Sequence, residues 1–207
     1  MTKVKICGIT SVDDARVAVD AGADLIGLIF YPPSPRYVTP QQAQAIVARV
    51  PAHIETVAVF VNESAARVTS IAQESGVQIV QLHGNESPEA CQQSARRVIK
   101  TFRFTAQVQP EMMAQYAVEA FLIEGFHADY YGGGGAQADW PRVAQLHPYG
   151  RIILAGGLTP VNVQEAIRTV QPYAVDVCSG VEAVPGKKDW AKMRTFVQRA
   201  KAIATEG

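Results

Sequence analysis

The sequence of 207 residues predicts an α/β fold, a single (β/α)8 barrel spanning 1–207. Three observations lead there. Eight short runs rich in Val, Ile, Leu and Phe alternate with stretches of helical length. Most of those runs are apolar almost throughout, as parallel strands covered on both faces require. No linker, charge block or low-complexity stretch divides the chain. Eight units of about 26 residues each suffice for compact strand–helix repeats joined by right-handed crossovers. An open doubly wound sheet is the competing arrangement. Its G-x-G-x-x-G fingerprint should follow the first strand, where the chain reads Cys7-Gly8-Ile9-Thr10. Closure is therefore preferred.

In order, strands are expected over 3–9, 24–30, 56–61, 77–83, 98–103, 120–124, 151–155 and 174–178. Thr39-Pro40, Ser87-Pro88 and Thr159-Pro160 each set a capping hydroxyl before a proline suited to the first helical position. Gln42 completes a capping box with Thr39. Gly22, Gly76 and Gly150 stand just before strands, where helices stop.

Composition narrows the function. The chain has 19 Lys+Arg against 19 Asp+Glu, is 18% charged and 48% apolar. A formal charge of zero argues against nucleic acid or a membrane surface as partner. No run approaches the length of a membrane span, and the start lacks the apolar core of a secretory signal. Cys7, Cys91 and Cys178 are too far apart for a disulfide framework or zinc ribbon, and the four histidines are scattered, so no metal is expected. The expectation is a cytoplasmic protein, either monomer or homodimer.

A barrel of this kind carries reactive groups at the carboxyl ends of its strands. Those ends read Cys7, a proline-rich loop holding Arg36, then Asn62, His83, Arg103, Glu124, the pair Gly156-Gly157, and Ser179-Gly180. The last two loops suit a phosphate, because glycines let an anion approach backbone N–H groups. Glu124 ends an apolar run, where a carboxylate is costly unless it is paired or faces a wet pocket; acid–base work and a salt bridge to Arg103 both explain it. Cys7 alone reads as a small buried hydrophobe, as do Cys91 and Cys178. Gly132–Gly135 form a glycine run in the loop after the sixth strand, about 15 residues long, equally consistent with a ligand-closing loop and a plain connection.

Taken together, Lys5-Ile6-Cys7-Gly8-Ile9-Thr10, Ser34-Pro35-Arg36-Tyr37-Val38, Gln81-Leu82-His83-Gly84-Asn85-Glu86, Ala155-Gly156-Gly157-Leu158 and Ser179-Gly180-Val181-Glu182 resemble the phosphoribosylanthranilate isomerase family. The resemblance runs nearly end to end, through Pro185-Gly186-Lys187-Lys188-Asp189. It implies a TIM barrel of tryptophan biosynthesis that rearranges a phosphoribosyl substrate by Amadori chemistry, without cofactor or metal. It implies Cys7 as general base, Arg36 on the anthranilate carboxylate, His83 among the substrate contacts, and phosphate held by Gly156, Gly157, Ser179 and Gly180. Where the family has an aspartate acid, this chain has Glu124, with Asp129 as the fallback. Gly134 stands where the family commonly has threonine. A different phosphosugar isomerase or epimerase, and a non-catalytic phosphate-ligand binder, are the alternatives.

Overall fold

The structure, a computed structural model, describes residues 1–104, 110–125 and 138–203. Eight parallel strands close into a barrel in sequence order. They are β1 (Lys3–Ile6), β2 (Leu25–Ile29), β3 (Glu55–Phe60), β4 (Ile79–Leu82), β5 (Arg97–Phe104), β6 (Ala120–Gly125), β7 (Ile152–Leu154) and β8 (Ala174–Val177). Closure is made by β1 lying against β8, with Ile6 beside Val177. Each strand falls within or close to its expected run, but several are shorter. Past the end of β1, the Cys7 and Ile9 amides still donate to Val177 O and Gly27 O, although the strand itself ends at Ile6.

The helices are α1 (Val12–Asp20), α2 (Pro40–Val47), α3 (Ala65–Ser75), α4 (Pro88–Gln92), α5 (Trp140–Val143), α6 (Val163–Val170) and α7 (Trp190–Lys201). Thr39 caps α2 in a full capping box with Gln42, and Ser87 caps α4 ahead of Pro88. Gly76 ends α3 in the left-handed conformation that glycine adopts without strain. One expected start is wrong. Thr159-Pro160 does not open α6, which begins at Val163. The Thr159 hydroxyl instead accepts from the Val161 and Asn162 amides, closing a turn before the helix.

Two apolar layers divide the core. Leu25, Val57, Ile79, Ile99, Leu122, Ile153 and Ala174 fill the inside of the barrel. Their strand neighbours Ile26, Ala58, Val80, Val98, Ile123, Leu154 and Val175 pack outward against the helices. The period of two in a strand makes this alternation compulsory. It assigns Lys5, Gln81, Thr101, Glu124 and Asp176 to the inside as well.

After β8 the chain makes a short 3-10 turn, Ser179–Val181, then a two-stranded antiparallel ribbon that the sequence reading missed: β9 (Glu182–Val184) and β10 (Lys187–Lys188). Its Pro and Gly at 185–186 and its charged residues give no alternation to read. The ribbon sits beside the barrel seam, where Thr10 Oγ1 donates to the Gly186 carbonyl.

Candidate active site

The inward residues at the carboxyl end of the barrel collect the reactive groups. Cys7 follows β1, and its amide donates to Val177 O at 2.9 Å. That bond sets Cys7 alongside Cys178, one residue past the end of β8. Cys7 is buried, and Cys178 is half-buried. A methyl group built on Gly8 would come within 2.8 Å of both Cys178 Sγ and Arg36 Cδ, so the turn after β1 is tightly packed against these two side chains.

The electrostatics favour a thiolate at Cys7. The Cys178 thiol hydrogen-bonded to it, with the Lys5 and Lys188 ammonium groups nearby, outweighs burial and holds Cys7 well below the usual thiol range. Cys178 moves oppositely, pushed well above that range by its bond to Cys7 and by burial. Of the two thiols, Cys7 is therefore the one biased toward the thiolate. The expectation of Cys178 as inert core is one the structure corrects. It is the neighbour of Cys7, and its sulfur also lies 3.9 Å from Glu182 Oε1 and from Lys188 Nζ.

Arg36 reaches this cluster from the loop after β2. Its Nε and Nη2 donate to the two oxygens of Glu182 at 2.8 and 2.7 Å, a fork-on-fork pair. Lys188 Nζ joins it at 3.2 Å from Glu182 Oε1. Burial works to raise the Glu182 pKa, yet these two cations leave it below the ordinary carboxylate value. The Arg36 pair uses two of the five guanidinium N–H donors, so further donors remain for a ligand carboxylate.

Across the barrel, Glu124 Oε1 is 2.7 Å from His83 Nε2, and both side chains are about nine-tenths buried. His83 Nδ1 lies 3.1 Å from Gln81 Nε2, which also donates to Thr101 Oγ1. With the Gln81 amide donating to Nδ1, a neutral imidazole carries its proton on Nε2 and donates to a Glu124 carboxylate. Gln81 Oε1 is buried with no hydrogen-bond partner among the described residues. Turning that amide over would give Nδ1–H an acceptor, and Nε2 would then accept from a protonated Glu124. The relay therefore accommodates the proton on either partner. The segment behind His83 is braced by Lys100, whose Nζ donates to Gly84 O at 2.8 Å and Glu86 Oε2 at 2.7 Å.

The glycine loops after β7 and β8 meet. Gly156 and Gly157 hold φ of 85° and 63°, a region that favours glycine. A methyl on Gly180 would collide with the Leu158 carbonyl oxygen. Asn162 ties the first loop down, donating to Gly157 O and accepting from the Thr159 amide. Among the described residues, the backbone bonds leave the Gly157 and Gly180 amides without an acceptor. Ser179 opens the 3-10 turn beside them.

All the sequence-expected site positions therefore lie at one end of the barrel, except that Asp129, Gly134 and the rest of Gly132–Gly135 lie outside the described residues. Sequence reasoning missed the roles of Lys5, Asp176, Gln81, Glu182 and Lys188. Lys5 and Gln81 each stand two residues before a recognised site residue, on the same inward face of their strands. That spacing was the available signal.

No helix among the described residues is long and apolar enough to cross a membrane. The family model for N-(5'phosphoribosyl)anthranilate (PRA) isomerase matches residues 4–199. The N-(5'-phosphoribosyl)anthranilate isomerase of Geobacter sulfurreducens is 50% identical over 97% of this chain and 99% of that protein. Among solved structures, the Thermotoga maritima enzyme superposes with a TM-score of 0.91 at 39% identity, covering 98% of this chain and all of that one. A phosphoribosyl anthranilate isomerase crystallised with reduced 1-(o-carboxyphenylamino)-1-deoxyribulose 5-phosphate superposes at 0.88 with 38% identity, over 98% of this chain and all of the other. On sequence and on architecture alike, the chain belongs to the N-(5'-phosphoribosyl)anthranilate isomerase family.

Proposed function

We propose that this enzyme of tryptophan biosynthesis isomerises N-(5'-phosphoribosyl)anthranilate to 1-(2-carboxyphenylamino)-1-deoxyribulose 5-phosphate with Cys7 as base and Glu124 as acid. The observation that carries the assignment is the inward layer at one barrel end. It holds a thiol biased toward thiolate and, across from it, a carboxyl group linked to an imidazole. Glu124 gives a proton to the furanose ring oxygen as the C1–O bond breaks, and the nitrogen lone pair forms a protonated Schiff base at C1. The Cys7 thiolate then takes the C2 proton, and that electron pair moves into a C1–C2 double bond while the C=N pair returns to nitrogen. The resulting enolamine gains a proton at C1 and loses the C2 hydroxyl proton to become the ketone. The net change moves hydrogen and electrons only among the substrate's own atoms, with protons passing through Glu124 and Cys7, so neither redox partner nor cofactor enters the balance.

Arg36 receives the anthranilate carboxylate with the donors that Glu182 leaves unused. His83 supports Glu124 and borders the ribose. The phosphate sits where the amides of Gly157 and Gly180 stand free, with Gly156 and Ser179 shaping the loops around it. The enzyme acts in the cytoplasm on this small molecule, without nucleic acid or membrane. The decisive experiment adds the purified protein to freshly generated phosphoribosylanthranilate. Rapid loss of the substrate's fluorescence is expected, and no loss above the spontaneous rate overturns the reading.

The phosphate site makes its own prediction. Gly180→Ala forces the loop after β8 away from the Leu158 carbonyl and separates the two amides. KM should rise by about tenfold or more, which corresponds to about 1.4 kcal/mol of binding. Steady-state kinetics check this, with kcat the less affected parameter.

A further inference from the structure

We infer that Lys5, paired with Asp176 one layer beneath the base, is a positioning residue for this reaction: its ammonium group keeps the Cys7 sulfur anionic. The inference rests on Cys7 being the base. Lys5 and Cys7 are two residues apart, so both side chains enter the barrel from the same edge. Both press on one side of Gly27 in the adjoining strand. A methyl group there would lie 2.8 Å from Cys7 Sγ and 3.1 Å from Lys5 Nζ. Glycine inside a strand weakens it and marks a close approach. Here what approaches is a thiol and an ammonium group together.

The ion pair is poorly explained by stability. Lys5 is fully buried and donates to Asp176 Oδ1 at 2.9 Å, inside a barrel otherwise filled in large part by apolar side chains such as Leu25, Val57, Ile79, Leu122 and Ile153. Apolar residues of similar volume hold such a position as well or better than two desolvated charges. A lysine has three N–H donors, and the Asp176 bond occupies one of them.

The groups facing Cys7 come from every neighbouring element. β1 contributes Lys5, and β2 only the uncharged Gly27. β8 and the residue after it contribute Asp176 and Cys178. The ribbon contributes Glu182 and Lys188, and the loop after β2 contributes Arg36. Glu182 is taken up by Arg36 and Lys188, and Lys188 also donates to the Cys178 carbonyl at 3.1 Å. Asp176 opposes a thiolate, and burial pushes its own pKa up to about 6. Lys5 is the cation beneath the sulfur, with no exposure to solvent that would screen it.

The test titrates the thiolate absorbance that disappears in Cys7→Ser, without substrate, and measures kcat/KM against pH in parallel. The variants are Lys5→Met and the double replacement Lys5→Met with Asp176→Leu, which leaves no charge buried alone. In Lys5→Met the Cys7 titration and the acidic limb of kcat/KM should move up together by about 1 pH unit or more; in the double variant, which also removes the opposing Asp176 carboxylate, both should move the same way by less. A folded variant of either kind with an unchanged thiolate titration overturns the inference. Should the single variant fail to fold, the double variant decides. If Cys7→Ser keeps full turnover, the base assignment fails instead. The substrate-free titration then still reports on Lys5 by itself.

Discussion

Cys7→Ala should lower kcat by about 10²–10⁴-fold, the range a positioned general base contributes, while a product analogue still binds. The reason is local. In the proposed reaction the Cys7 sulfur takes the C2 proton, whereas binding is assigned to Arg36 and to the loops around Gly157 and Gly180. Stopped turnover with the analogue's affinity retained is the expected pair of results. Normal turnover removes Cys7 as the base. The pH dependence has a definite sign. A base works deprotonated, so activity is lost as pH falls through the thiol pKa. Because the Cys178 bond and the two lysines hold that pKa well below the usual range, the loss should begin on the acid side of where an ordinary thiol titrates.

Glu124→Gln should produce a comparable fall, again about 10²–10⁴-fold in kcat. The amide keeps the shape of the side chain and can still pair with His83, but it has no acidic proton to deliver to the ring oxygen. Glu124→Asp retains the proton and loses reach. The present carboxyl reaches past the neighbouring β5 to meet His83 Nε2 at 2.7 Å. Withdrawing it by ~1 Å costs on the order of 100-fold where geometry is tight. The expected order of rates is therefore Glu, then Asp, then Gln. A harmless Glu124→Gln with a crippling Asp129→Asn would transfer the acid role to Asp129.

The barrel was legible because parallel strands covered on both sides leave a plain apolar signature, and because Thr39, Ser87, Gly22 and Gly76 terminate elements by local chemistry. Thr159-Pro160 misled for the same local reason. A hydroxyl before proline serves a turn as well as a helix start, and the choice is made by Asn162, which ties the loop to Gly157 O. The strand-end residues Cys7, Glu124 and His83 were legible by position. Their partners were not. Lys5 meets Asp176 across 171 residues of sequence, and Arg36 meets Glu182 across 146. No spacing rule links such pairs, since closure of the sheet is what brings them together. Cys178 was misread because a thiol in an apolar run is usually inert, and only the neighbouring strand reveals what it touches.

The seam between first and last strands has a consequence for how this molecule comes alive. Lys5–Asp176, Arg36–Glu182 and the Trp190 indole bonded to Asp14 at 2.7 Å all join the beginning of the chain to its end. Contacts so distant in sequence form late during folding, because a long stretch of polypeptide must first be ordered between them. The sulfur's activation thus arrives with the final stitch. A nascent chain still emerging from the ribosome has Cys7 near its beginning, yet Cys178 and Lys188 reach that sulfur only when the last thirty or so residues fold home.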